Sequence, residues 1–172
     1  NFASMDSDGL ITDRRAGRIS TEENRRLIEM LSEQIKDIDG VKIILETVKE
    51  HRFVVIFRGE GLDGRLADKD PQTTGAHSLA PAVLDPAAEK TAAIVKEFIS
   101  RANRVIKDER PANTMLLRGF SRLPDLPSMQ ELFHLKPAAI ATYPMYRGLA
   151  GLAGMEILEA GLDVVSTAEE LS

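Results

Sequence analysis

An arginine-rich segment stands near the start of this 172-residue sequence, where Asp13, Arg14, Arg15 and Arg18 fall within six positions. Guanidinium groups spaced this closely can hold a phosphate or a carboxylate through paired N–H donors, which the lysine ammonium cannot imitate. The dipeptide Ala16-Gly17 lies between them and lets the backbone turn tightly or approach a ligand closely. The alternative is a solvated basic turn that leads into a helix. The spacing alone therefore leaves two interpretations open, an anion site and a basic turn.

Three Arg-Gly pairs further along the chain favour the anion site. Arg58-Gly59 and Arg118-Gly119 directly follow apolar runs that are typical of strands, and Arg147-Gly148 lies early in a predicted helix. Ligands of open α/β sheets bind beyond the carboxyl ends of the strands, so these arginines are expected to converge with the arginine-rich segment. His51 is a further candidate for such a site. For each arginine taken singly, a surface salt bridge is the commoner arrangement.

A small phosphorylated acid fits this set of residues, because it carries two anionic groups and needs several bidentate donors. The sequence shows no glycine-rich phosphate loop, no nucleophile elbow and no zinc helix motif, so a complete catalytic apparatus is not visible. The acidic residues of the loop at 60–82 do not match the EF-hand pattern, and no metal site is assigned to this chain.

Composition narrows the class of protein. The net charge of -5 and the lack of tryptophan argue against a nucleic-acid binder. The sequence has no apolar run of membrane length, so no membrane association is expected. It also has no cysteine, which excludes a disulfide framework and fits a reducing cytoplasm, where we expect the protein to lie. The chain opens without an initiator methionine and closes on a capping box at 166–169, which suggests a segment of something longer.

Alternating helix and strand patterns predict an α/β (α+β) fold with a mixed sheet flanked by helices, formed by one domain over 1–172. A hairpin is expected from strands at 41–48 and 51–59, and the apolar run at 53–57 is interpreted as a central strand covered on both faces. Small residues at 148, 151 and 154 indicate that the last helix packs closely on a neighbour. The remaining predicted elements are helices at 21–36, 85–105, 128–133 and from 143, strands at 113–119 and 138–142, and a long loop at 60–82. Capping boxes at 20–23 and 128–131 mark the starts of the first and third of these helices.

Several segments together resemble the archaeal-type cofactor-independent (2,3-bisphosphoglycerate-independent) phosphoglycerate mutases, a family of the alkaline phosphatase superfamily. The resemblance runs along nearly the whole chain and keeps the order of the motifs. The segments that carry it are NFA at 1–3, TDRRAGRI at 12–19, HRFVV at 51–55, DP at 70–71, NTMLLRG at 113–119 and YPMYRG at 143–148.

This resemblance implies a division of labour between two domains. A phosphatase-like domain with two divalent metals (Mn, Mg or Zn) and a phosphoryl-carrying serine would lie in flanking sequence of the same chain. The present chain would be the domain inserted into it, which closes over the glycerate and is inactive by itself. The implied activity is that of a glycolytic isomerase, which interconverts 3-phosphoglycerate and 2-phosphoglycerate.

The resemblance also assigns roles to particular residues. Asp13 would be a catalytic proton acceptor for the reacting hydroxyl, and the substrate contacts would be Arg14, Arg15, Arg18, Arg118 and Arg147. No residue of this chain would be the nucleophile or a metal ligand. Two other functions remain open from the residues themselves: an anion-binding domain of a related phosphotransferase or phosphonate-acid enzyme, and a non-catalytic structural domain.

Overall fold

A computed structural model describes residues 1–158 of the chain. Contacts within the chain divide it into two compact units, Asn1–Arg122 and Leu123–Ser172, and the second is described up to residue 158. The sequence predicted one domain over 1–172, so this division is finer than expected. Each unit is described by itself below, as the first unit and the second unit.

Helices and strands alternate along the described chain, and the predicted α/β class is confirmed. The strands form small separate sheets instead of one larger mixed sheet. The first unit contains β1 (Phe2–Met5), β2 (Ile11–Asp13), α1 (Thr21–Gln34), β3 (Asp37–Ile38), β4 (Val41–Lys49), β5 (Arg52–Arg58), α2 (Glu89–Ile106) and β6 (Thr114–Met115). The second unit contains α3 (Met129–Phe133), β7 (Ala138–Ala139), α4 (Pro144–Leu152) and β8 (Glu156–Ile157).

The predicted hairpin is confirmed, since β4 and β5 pair antiparallel in a sheet of order β3-β4-β5. The interpretation of β5 as a central strand was wrong. Among the described residues β5 pairs only with β4, so it is an edge strand. Its Phe53 and Phe57 pack against the core, whereas Val54 and Ile56 point outward and are 43% and 42% exposed. An uninterrupted apolar run therefore stands here on a sheet with only one covered face.

The core of the first unit lies between this sheet and two amphipathic helices. Helix α1 begins after Ser20, whose hydroxyl accepts a hydrogen bond from the Glu23 N–H at 3.1 Å, which is one of the two bonds of the predicted capping box. Helix α2 follows a single 3-10 turn in which the Asp85 carboxylate accepts from the Ala87 N–H at 2.9 Å. The largest fully buried side chains are Phe2, Phe98, Ile11, Leu27, Leu31, Ile35, Ile38, Ile106, Met115, Leu116, Val41 and Val95.

A second small sheet, of order β2-β1-β6, positions the candidate site. Its central strand β1 pairs antiparallel with both neighbours. Strand β2 ends at Asp13, where the arginine-rich segment begins, and the chain reaches Arg118 shortly after β6. The strand predicted at 113–119 is therefore present but much shorter.

The long loop predicted at 60–82 is present and spans residues 60–84, which we call the bridging loop. Backbone hydrogen bonds tie it to β2 and to the segment that directly follows β6. Ile11 and the loop exchange two of them, Ile11 N–H to the Ala76 carbonyl at 2.9 Å and Gly75 N–H to the Ile11 carbonyl at 2.8 Å. On the other side, the Lys69 N–H donates to the Leu117 carbonyl at 2.8 Å. The bridging loop is thus part of the ordered scaffold.

The second unit combines short elements with little burial. The capping box predicted at Ser128 is confirmed, with the Glu131 N–H donating to the Ser128 hydroxyl at 3.2 Å and the Glu131 carboxylate accepting from the Ser128 N–H at 2.7 Å. The glycines of α4 do not provide the predicted close packing, because a methyl group at Gly148 or Gly151 would meet no described atom within 4 Å. Gly154, just beyond the helix, does lie against Ser128.

The capping box noted in the sequence at 166–169 lies outside the described residues. Within 1–158, no helix combines the length and the apolar character that crossing a membrane requires.

Candidate functional site

Residues 13–18, which we call the arginine loop, have an unusual left-handed backbone in their second half. Three consecutive residues have positive φ angles: 48° at Ala16, 62° at Gly17 and 54° at Arg18. Only glycine adopts such angles without steric cost, so Ala16 and Arg18 are held there by their surroundings. The Asp13 carboxylate supplies part of that restraint, because its oxygens accept hydrogen bonds from the N–H groups of Arg15 at 2.8 Å and Gly17 at 2.6 Å.

These hydrogen bonds also determine the charge of Asp13. Partial burial by itself would raise the pKa of the carboxyl, but the two backbone N–H donors outweigh that effect and hold the pKa below its ordinary value. The charge of the Arg15 guanidinium lowers it further. Asp13 is therefore an ionised anchor of the arginine loop. Its role as a proton acceptor stays a prediction.

Arg14 is held by a residue that the sequence did not single out as functional. Its Nε and Nη2 donate to Oδ1 and Oδ2 of Asp70 at 2.9 and 2.7 Å, a bidentate pair. The Asp70 side chain, from the bridging loop, is only 2% exposed. The hydrogen bonds from Arg14 lower the pKa of Asp70 in spite of its burial, and the N–H of Gln72 adds to the effect. The only signal in the sequence was the Asp70-Pro71 dipeptide, which contributed to the family resemblance.

Arg118 converges on the same carboxylate, as the strand-end argument predicted. Its Nη1 lies 3.6 Å from the Asp70 Oδ2, and its side chain is 56% exposed. The next residue, Gly119, has a φ of +70° and donates its N–H to the Asp68 Oδ1 at 2.7 Å. The bridging loop thus fixes both Arg118 and the turn that follows it.

Arg15 and Arg18 are exposed, as Arg118 is, but they differ from Arg14 and Arg118 because their side chains make no hydrogen bond or ion pair with any residue in 1–158. Their guanidinium donors face solvent from a backbone that is already fixed. An anion that binds here meets donors that need not break an existing contact.

Two further candidates do not join this group. Arg58 is exposed at the end of β5, where it lies opposite Lys42 of β4. His51 is 3% exposed, and burial followed by the charge of Arg52 lowers its pKa, so it is a neutral core residue. Arg147 lies in α4 of the second unit, and its part in the site stays a prediction.

Lys69 is a second residue that the sequence analysis missed. It is 4% exposed, and its Nζ donates to the Met115 carbonyl of β6 at 3.0 Å. Burial lowers the pKa of the ammonium to about 8. Residues 1–158 contain no cluster of three or more His, Cys, Asp or Glu side chains that could hold a metal ion.

Comparison with known proteins decides the family. Residues 1–113 match the family model of 2,3-bisphosphoglycerate-independent phosphoglycerate mutase. The chain belongs to this family. The resemblance seen in the sequence is thereby confirmed. The arginine loop and Asp70 lie within the matched range, and β6 and Arg118 follow directly after it.

Individual relatives agree with this assignment. A probable 2,3-bisphosphoglycerate-independent phosphoglycerate mutase from Thermus thermophilus is 51% identical over 92% of this chain, which covers 39% of the relative. A protein of the same name from Thermosipho africanus is 50% identical over 94% of this chain, covering 40% of the relative. The solved structure of the cofactor-independent phosphoglycerate mutase from Thermoplasma acidophilum superposes with a TM-score of 0.72 at 27% identity, over 94% of this chain and 46% of that one. The chain thus spans about two fifths of the length of the curated relatives it matches.

Proposed function

We propose that this chain is the substrate-binding part of a phosphoglycerate mutase that interconverts 3-phosphoglycerate and 2-phosphoglycerate. The observation that carries the proposal is the state of Arg15 and Arg18: both are exposed, neither is bonded to a described residue, and both stand on a backbone fixed by Asp13. The names of its relatives support the same substrate.

The charges of the site fit a phosphorylated acid. Asp70 neutralises part of the charge of Arg14 and Arg118, and Asp13 offsets one further positive charge. The four arginines and two carboxylates of the site together keep an excess of positive charge. Such an excess, on fixed donors, attracts a dianionic phosphate together with a carboxylate. Moving a phosphoryl group between two hydroxyls of one glycerate requires the acid to reorient without escaping, and several arginines supply that retention.

The rest of the parent's machinery belongs to this proposal as well. We propose that Asp13 and Arg147 also act at the substrate, and that a flanking domain of the alkaline phosphatase type brings two divalent metals and the nucleophile. The resemblance supports these roles. A cytoplasmic location would follow from the glycolytic substrate.

The test is made in the full-length enzyme that contains this chain. Arg15→Ala is expected to lower kcat/KM by about 100-fold or more, because one oriented donor to the substrate is lost. Arg15→Lys keeps the charge but not the fork, and it is expected to recover only part of the loss.

Arg101→Ala is the matched control. Arg101 is an arginine of α2 that bonds its own helix neighbour Glu97 at 2.7 Å. Its removal is expected to leave kcat/KM unchanged. Equal activity of the Arg15→Ala and Arg101→Ala variants would contradict the proposal. Urea unfolding of all variants distinguishes a lost contact from a lost fold.

A further inference from the structure

The bridging loop delivers a buried carboxylate between two arginines from different strands. Arg14 follows β2 and Arg118 follows β6, and these are the two outer strands of the β2-β1-β6 sheet. Asp70 lies within reach of both, and its side chain is 2% exposed. The two arginines therefore share one counter-ion, although neither is adjacent to the other in the chain or in the sheet.

The Asp70 carboxylate has no oxygen left for a ligand of its own. Oδ1 accepts from Arg14 Nε and from the Gln72 N–H, both at 2.9 Å. Oδ2 accepts from Arg14 Nη2 at 2.7 Å and lies 3.6 Å from Arg118 Nη1. A buried carboxylate that is bonded in this way acts through the arginines it holds.

The position of Asp70 is set independently of those arginines. Its neighbour Lys69 makes three contacts: the N–H donates to the Leu117 carbonyl at 2.8 Å, Nζ donates to the Met115 carbonyl at 3.0 Å, and the carbonyl accepts from the Leu79 N–H at 2.9 Å. The first two tie residue 69 to β6 and the segment that follows it. The backbone that carries the Asp70 carboxylate is thus held by contacts other than those with Arg14 and Arg118.

We propose that Asp70 is a positioning residue of the substrate site, which aims Arg14 and Arg118 at one anionic group of a phosphorylated acid. The inference rests on the proposed function and adds a residue to it. Arg14 and Arg118 have side-chain exposures of 31% and 56%, so each presents its remaining N–H groups to solvent while Asp70 holds its orientation. Holding a donor in place before the ligand arrives lowers the ordering cost of binding.

The first test is Asp70→Asn in the full-length enzyme, with phosphoglycerate as the substrate. The amide keeps the size of the side chain but removes the charge and one of the paired acceptors. We expect kcat/KM to fall by about 100-fold, mainly through KM, because the arginines lose their orientation toward bound substrate.

Asp63→Asn is the matched control, since Asp63 lies in the same loop and receives a bidentate pair from Arg65, with Nε–Oδ1 at 2.8 Å and Nη2–Oδ2 at 2.9 Å. Neither residue of this pair is bonded to the arginine loop, so the loss of the pair is expected to change kcat/KM by less than about twofold. Equal losses in the two variants would overturn the proposal.

A double-mutant cycle separates positioning from a general structural role. If Asp70 acts through Arg118, the Asp70→Asn and Arg118→Ala changes together cost less in kcat/KM than the product of the two single losses. Losses that multiply in full would overturn the proposal, because Asp70 would then act independently of Arg118.

Two further controls complete the design. Asp70→Glu keeps the charge opposite Arg14 and displaces the carboxylate by one methylene, so it carries the test if Asp70→Asn does not fold, with the same expected rise in KM. Failure of both variants to fold would show that Asp70 serves the fold alone and would overturn the proposal.

The Arg15→Ala variant distinguishes the two proposals. If Arg15→Ala lowers activity but the Asp70 variants do not, only the positioning role of Asp70 is contradicted. If Arg15→Ala has no effect on activity, the proposed function itself is contradicted.

Discussion

The two units of this chain bury their apolar side chains to very different extents. In the first unit Phe2, Phe98 and Leu27 are fully buried. In the described part of the second unit, residues 123–158, the only buried side chain is that of Ala150, while Leu123, Phe133 and Leu149 are 86%, 59% and 61% exposed. The first unit is held together by its core, whereas the elements of the second depend on local hydrogen bonds such as the α3 capping box.

The largest expected effect on stability comes from replacing a buried phenylalanine of the first unit by alanine, compared with the same change at an exposed phenylalanine of the second unit. Phe98→Ala removes a fully buried ring of α2 and is expected to lower the free energy of unfolding by about 3–5 kcal/mol. Phe133→Ala removes a ring of α3 that is mostly exposed, and a change within about 0.5 kcal/mol is expected. Urea unfolding of this chain followed by circular dichroism measures both. Comparable losses would show that the two units are packed alike.

A pair of glycine substitutions sharpens the contrast within the second unit. Gly154 has a φ of +72°, and a methyl group there would lie 2.5 Å from the Ser128 Cβ. Gly154→Ala is therefore expected to destabilise the contact between α4 and the start of α3 by on the order of 1–3 kcal/mol. Amide hydrogen exchange should show it as faster exchange at Leu132 and His134, with the core of the first unit unaffected.

Gly151→Ala is the control for that experiment. Gly151 lies inside α4, where a methyl group would meet no described atom within 4 Å. Replacing a helical glycine by alanine in open space is expected to stabilise the helix by about 0.5–1 kcal/mol. The two substitutions should therefore have opposite signs, and the same sign for both would contradict the packing described for this unit.

The smallest effect is a pH dependence that arises in the first unit. The pKa of Asp70 is lowered in the folded chain, so its ion pair contributes stability above the ordinary carboxyl pKa, and this contribution is lost as the pH falls through the lowered value. The difference in unfolding free energy between the native chain and Asp70→Asn is expected to be largest near neutral pH and to vanish in acid. Urea titrations at a series of pH values measure it. A difference that persists unchanged in acid would show that packing, not charge, is responsible.

Local signals predicted much of this fold. The N-cap at Ser20, the capping box at Ser128 and the hairpin of β4 and β5 depend on neighbouring residues, and each was visible in the sequence. The position of β5 at the edge of its sheet was not, because an apolar run does not reveal whether its second face is covered.

The candidate site was predictable only in part for a similar reason. The arginine loop is contiguous, so its composition was evident. Its main support, Asp70, is 56 positions away from Arg14 in the chain and becomes visible only when the bridging loop is placed. The sequence also did not show that Asp13 accepts hydrogen bonds from backbone N–H groups, because a carboxylate before two arginines is expected to pair with their side chains.

The anchoring of the arginine loop by Asp13 has a consequence for how such a site changes during evolution. Asp13 binds the backbone N–H groups of residues 15 and 17, which every residue except proline supplies, so this restraint does not depend on the side chain at position 15. Position 15 has a φ of -126°, which any residue tolerates, and it can be exchanged without rebuilding the loop. Position 18, at +54°, admits a narrower choice that excludes β-branched residues. Substitutions that change the ligand preference are thus tolerated most easily at position 15, whereas position 18 tolerates fewer residue types.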